Sequence, residues 1–305
     1  MNWSGIGSGL ATGFLMALAL LCSGWAMRRT PGLDGLGLIS HASIVMGVIS
    51  CCCIPFVWQP ELAPGFWARL PWHLGMVACY FLGQVMLFTI QKTVDSSRVV
   101  PLLGLKLPML ALLNLLFGIA TRFSWPQVLA IVLTVVSAFV LNYAGHRIPL
   151  RIFALVLVTC LFFSLSDMGI KVGVDLITQI PNGPDKPMAS IQATLISYAC
   201  CGLYGVAFLA CRRKHSFRLL AFRNSVLYSF IWLASIVTLT LCFAHLDTVN
   251  GNILQSTRGI FSILIAPVLA SCGMTYLEEK TSAWIVLRRL LAAIMMIAAV
   301  WLYNL

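Results

Sequence analysis

The chain has 305 residues, of which 60% are hydrophobic and only 10% charged, where a soluble domain carries roughly a quarter charged residues. That balance excludes water as its main solvent. The formal charge of +11 comes from 20 Lys and Arg against 9 Asp and Glu; in so apolar a chain the basic excess belongs to loops facing anionic headgroups and forms no nucleic-acid patch.

Backbone polar groups must be satisfied internally in lipid, so apolar runs of roughly 20 residues read as transmembrane helices. In chain order these spans cover residues 8–27, 38–57, 72–91, 99–120, 126–144, 152–177, 189–211, 225–245, 252–276 and 282–304. The first has no Lys or Arg before it and is followed by Arg28 and Arg29, so it reads as a retained span and not as a cleaved leader. Short polar marks separate the runs: Arg28 to Gly32, Lys92 to Arg98, Gly145-His146-Arg147, Thr178 to Pro187, and Arg212-Arg213-Lys214. The 11 cysteines, including Cys51, Cys52 and Cys53, lie almost entirely inside apolar runs and are expected to be reduced, small core residues. Trp58, Trp67, Trp72, Trp125, Trp284, Trp301 and Tyr303 fall toward span ends, as interfacial anchors do. Gly5, Gly7 and Gly9, and Gly202 with Gly205, are placed to let helices approach closely.

An internal repeat organises the runs. Tyr80 to Leu112 lies over Trp232 to Leu264 without a gap, placing Val85 on Val237, Leu87 on Leu239, Asp95 on Asp247, Lys106 on Arg258 and Leu112 on Leu264. The charged matches carry the argument, because apolar helices match Leu with Val by chance, whereas intramembrane charges are rare. The expected fold is therefore an all-α integral membrane protein of about ten transmembrane helices, arranged as two inverted five-helix repeats at 1–145 and 146–305. An odd number of spans per half forces the halves into opposite orientations.

The segment Ala244-His245-Leu246-Asp247, the following Gln255-Ser256-Thr257-Arg258-Gly259 and Pro267, and then Leu277-Glu278-Glu279-Lys280-Thr281-Ser282 resemble the drug/metabolite transporter superfamily, in particular its EamA-like group. The likeness extends over essentially the whole chain and is stronger in the second half; the first keeps Pro101 and Pro108 in the equivalent helix but lacks the Glu. It implies two EamA-like five-helix repeats, transport as the activity, and a cavity lined by the third, seventh and ninth spans.

Lys106 and Arg258 lie inside predicted spans, where an unpaired cation costs at least about 2.5 kcal/mol, so each must face a cavity or a partner. An inverted two-fold brings them to opposite walls of one cavity, a pair suited to an anion. The alternative is neutralisation by Asp167, Asp175 or backbone carbonyls freed near a proline. Asp167, Lys171 and Asp175 recur at i, i+4 and i+8 of the sixth span and read either as an internal ion-pair stripe or as a site for a coupling proton. His41, Gln84, Gln91, Asn114, Gln192, Tyr198, Asn252 and Gln255 are expected mainly in interhelical hydrogen bonds; the resemblance moves Gln84, Tyr198 and Gln255 to the cavity. Glu278, Glu279 and Ser282 read as caps of the last span, with Arg288 and Arg289 snorkelling beside them.

The expected activity is secondary transport of a small polar or anionic metabolite by alternating access in a cytoplasmic membrane, with a small-molecule substrate and the bilayer as partners and with no cofactor, metal or nucleic acid. A multidrug or cation exporter of the same superfamily and a non-transporting multipass protein are the alternatives. No enzymatic activity is expected: HExxH, GxSxG, paired-Asp and Walker patterns are missing and the five histidines are scattered. Loop charges, concentrated after odd-numbered spans, put both termini outside, while the resemblance puts both in the cytoplasm.

Overall fold

The computed structural model describes residues 3–94, 99, 102–117, 124–143, 149–211, 218–246, 248–271 and 283–303. Asp95, Pro101, Asp247, the Gly145 and Arg212 marks and the segment 277–282 lie outside the described residues, as do the side chains of Asn114, Pro267 and Arg289. Among the described residues there is no strand and there are 11 α-helices. They are α1 (Trp3–Arg29), α2 (Gly35–Val57), α3 (Phe66–Gln91), α4 (Lys106–Leu116), α5 (Trp125–Tyr143), α6 (Leu150–Thr178), α7 (Lys186–Cys211), α8 (Leu219–His245), α9 (Thr248–Ser256), α10 (Arg258–Ser271) and α11 (Ala283–Tyr303). Six of them, α1, α2, α3, α6, α7 and α8, are long and apolar enough to cross a bilayer. The chain is thus an all-α protein of the multi-pass membrane type. Large apolar side chains such as Phe56, Leu150 and Leu219 cover its exterior, the surface that hydrocarbon requires.

Local sequence accounts for the helix limits. The Asp34 carboxylate accepts from the Gly37 amide at 2.7 Å and caps α2. Gly32, with φ of 71°, in the turn between α1 and α2, and Gly65, with φ of 73°, directly before α3, take left-handed conformations. The helices reach beyond the predicted spans, most clearly where α1 starts at Trp3 and α8 at Leu219. The added turns carry Ser, Trp and Arg, residue types tolerated at a membrane interface.

Two predicted spans are interrupted. The run at 99–120 tightens into a 3₁₀ turn at Leu103–Leu105 before α4 starts at Lys106, and Pro108 sits in the first turn of α4, where a missing amide proton costs little. The run at 252–276 breaks at Thr257, whose amide and hydroxyl both turn back to the Leu254 carbonyl, at 3.1 and 2.6 Å. Neighbouring helices take up the groups that these breaks release. On α6, Ser164 donates to the Lys106 carbonyl at 3.2 Å, and Cys160 one turn earlier points its thiol at the Leu102 carbonyl at 3.9 Å. On α1, Gly13 makes room for the Thr257 turn: a Cβ there would collide with Thr257 Oγ1 and lie 3.2 Å from the Arg258 amide nitrogen.

The most extensive pairings join α2 to α7, α1 to α8, α3 to α6 and α5 to α11; α1 also packs on α9 and α10, α6 on α4, α2 on α8, and α3 on α7. Small residues set the closest approach. A Cβ on Gly47 would lie 2.6 Å from the Gly202 Cα, and one on Gly205 would lie 2.6 Å from the Ser40 carbonyl oxygen, so α2 and α7 meet backbone to backbone. Gly9 admits Leu254 and Gly5 admits Leu246 in the same manner, whereas Gly7 has nothing within 4 Å and plays no part. Several expected interhelical hydrogen bonds are present: Ser23 donates to Gln91 at 3.0 Å, and Gln192 donates to the Val57 carbonyl at 2.8 Å.

Candidate binding cavity

Both interrupted segments deliver a basic side chain to the same place. Lys106 and Arg258 are the first residues of α4 and α10, the end at which aligned peptide dipoles are positive. They are 4% and 5% exposed, and both line one cavity bounded by α1, α3, α4, α6, α7, α8, α9 and α10. Its volume of about 50 Å³ holds a few water molecules. A larger ligand needs the surrounding helices to move.

The two cations are not equivalent. Lys106 forms a buried ion pair with Asp167 of α6 and donates to Gln255 Oε1 at 3.1 Å. The Gln255 amide then turns to the Met16 sulfur at 3.2 Å, which also receives an Arg258 N–H at 3.6 Å. Thioether sulfur is a weak acceptor, and a guanidinium has five N–H donors. Among the described residues Arg258 therefore has a poor share of acceptors for a charge this deeply buried, while Lys106 is neutralised. Ser166, beside Asp167, completes this polar end.

Aromatic side chains form much of the remaining lining. Trp232 of α8 donates its indole N–H to the Tyr198 hydroxyl of α7 at 2.9 Å. Tyr80 of α3 lies edge-on to Tyr198, with centroids 5.6 Å apart, and 6.1 Å from Trp232. His73 of α3 shares a hydrogen bond with Ser197 at 2.9 Å and also faces the space. A few charged groups among flat, largely apolar walls is the usual form of a small-molecule pocket, in which a few polar groups orient a ligand held by apolar surface.

Of the residues singled out in the sequence, Lys106, Arg258, Tyr198, Gln255 and Asp167 come together here. Gln84 is fully buried but lies one turn along α3 from Tyr80, outside the cavity lining, and both of its amide atoms lack a partner among the described residues. Lys171 and Asp175 are exposed, so the stripe from Asp167 does not run through the interior. Asp167 takes its partner from α4, and Lys171 and Asp175 fall on an exposed face of α6 whose other side stays packed through Gly173 and Ile177. Trp232 and Tyr80 were not singled out, because tryptophan in such a chain reads first as an interfacial anchor. The signal was present: Tyr80 and Trp232 are the first matched pair of the internal repeat. Trp58, Trp67, Trp72, Trp125, Trp284 and Trp301 are exposed, with Arg288 stacked 5.0 Å over Trp284; the Tyr303 side chain lies outside the described residues.

Neither a comparison with protein-family models nor one with curated proteins finds a match. Among solved structures 22 chains are similar. One, described only as "Crystal structure of protein", has a TM-score of 0.56 at 12% identity over 97% of this chain and 96% of its own. What the comparisons establish is therefore the fold alone, an all-α arrangement shared over nearly the whole chain with a solved protein.

Proposed function

We propose that the chain is a secondary transporter that carries a small organic anion across a cytoplasmic membrane by alternating access, with Lys106 and Arg258 at the substrate site. The observation that carries this reading is the charge of the cavity: two buried cations, each opening an α-helix, against one carboxylate. Burying the second cation costs several kcal/mol unless an anion joins it, and interrupted helices whose positive ends converge at mid-membrane are how many carriers hold an anionic group.

The packing pattern supports two related halves of the EamA-like kind, divided near residue 145. Counting α9 and α10 as one interrupted span, the pairing of α1 with α8 corresponds to that of α6 with α3, and the pairing of α1 with α9 and α10 to that of α6 with α4. The pairings of α2 with α7 and of α5 with α11 each map onto themselves. A pseudo-two-fold of this type lets the two halves exchange conformations, which is the mechanical basis of alternating access. Asp167 and the aromatic walls also suit a cation exporter of the same superfamily; the ion pair with Lys106 weighs against it.

The test is thermal stabilisation of the purified protein in detergent by organic anions, amino acids, nucleosides and cations, with Lys106→Gln and Arg258→Gln in parallel. An organic anion is expected to raise the melting temperature of the native chain and to lose that effect in Arg258→Gln. Stabilisation by cations alone, undiminished in Arg258→Gln, refutes the anion site.

A further inference from the structure

Resting on that reading, we infer that Asp167 sets the valence of the substrate: the cavity is matched to an anion of one net negative charge seated on Arg258, and dianions are rejected. The charged lining residues are Lys106, Arg258 and Asp167. His73, Tyr80, Tyr198 and Cys201, the other titratable groups in the lining, belong to types that are essentially uncharged at pH 7.5. Lys106 and Asp167 cancel in their ion pair, and Lys106 is further occupied by Gln255 at 3.1 Å. One positive charge is left, on the side chain whose described polar contact is a sulfur 3.6 Å away.

Charge neutrality inside a low-dielectric cavity then discriminates substrates. A monoanion brings the site to zero. A dianion leaves a net negative charge and meets Asp167 as a like charge, which costs several kcal/mol when desolvated. Asp167 need not touch the ligand to do this; by pairing with Lys106 it subtracts one charge from the site. Specificity of this kind is built by repelling the competitor as much as by attracting the substrate.

The probes are two pairs of similar shape but different charge, monomethyl succinate with succinate and benzoate with phthalate. Their affinities are measured at pH 7.5 in detergent from the concentration dependence of the melting temperature. The native chain is expected to bind the monoanion of at least one pair on the order of tenfold or more tightly than its dianion. Asp167→Asn, with two net positive charges, is expected to reverse that order. The double variant Lys106→Gln/Asp167→Asn, back at one charge, is expected to restore it. If Asp167→Asn does not fold, Lys106→Gln against the double variant decides the matter. The single variant has no net charge and should bind the monoanion on the order of tenfold more weakly than the double.

An unchanged preference for monoanions in Asp167→Asn overturns the valence assignment while leaving an anion site standing. So does equal monoanion affinity in Lys106→Gln and the double variant. If no probe anion stabilises any form, the anion-transport reading fails, and this inference with it.

Discussion

Replacing Gly202 by alanine puts a methyl carbon where α2 and α7 touch. The new Cβ would lie 2.9 Å from the Gly47 Cα and 3.5 Å from the Ser43 carbonyl oxygen. Carbon atoms in contact sit about 3.5 to 4.0 Å apart, and the obstruction is backbone, so no rotamer change relieves it. The helices must separate by roughly an ångström along the most extensive pairing among the described residues, an overpacking cost of about 1 to 3 kcal/mol. Alanine also gains about 1 kcal/mol of helix propensity over glycine, which masks part of the loss. Gly7→Ala supplies the reference, since it takes the same gain with nothing within 4 Å. Equilibrium unfolding in mixed micelles is expected to find Gly202→Ala about 1 to 3 kcal/mol less stable than Gly7→Ala. Gly47→Ala/Gly202→Ala should depart from the sum of its single variants, because both methyl groups demand the same separation. Equal stability of Gly202→Ala and Gly7→Ala refutes the backbone contact as described.

Asp167→Ala strands the Lys106 ammonium in the interior and is expected to lower stability by about 3 to 5 kcal/mol, while Lys106→Met/Asp167→Leu recovers most of it; the same unfolding assay reads both, and a single variant as stable as the double contradicts the buried pair. Gln84→Leu removes an amide whose two polar atoms are buried without a partner among the described residues, so stability is expected to hold or rise. A loss above about 1 kcal/mol would instead mean that the amide is satisfied. Maleimide should label exposed Cys211 in the folded protein and reach buried Cys160 and Cys201 only after unfolding; equal labelling of all three in the folded state contradicts the packing of α6 and α7.

The long helices were legible because lipid permits few alternatives: α2, α3 and α7 end within a few residues of the apolar runs that predict them. The breaks before Lys106 and Arg258 were not. In sequence each is an apolar run with one cation in it, and what permits the interruption lies on other helices, at Cys160, Ser164 and Gly13. The basic pair was legible as a pair because the repeat aligns the two positions. The difference between them depends on which cation Asp167 reaches: the sequence offered Asp167 as a neutralising partner for either cation, and helical spacing offered Lys171 as well, and only packing selects Lys106. Gln84 shows the same limit: the resemblance assigns its span to the cavity, but only packing reveals that the lining from α3 ends a turn earlier, at Tyr80.

The most direct test of the central claim is flux. The native chain and Arg258→Gln, which is expected to fold because the guanidinium has weak partners, are reconstituted into liposomes and loaded with the anion that best stabilises the native chain. Uptake of labelled anion is then measured by counterflow, with a labelled organic cation as the comparison. Saturable accumulation of the anion by the native chain, on the order of tenfold or more above Arg258→Gln liposomes, is the predicted result. Uptake of the cation alone, or anion flux equal in the two proteins, contradicts an anion carrier built on Arg258.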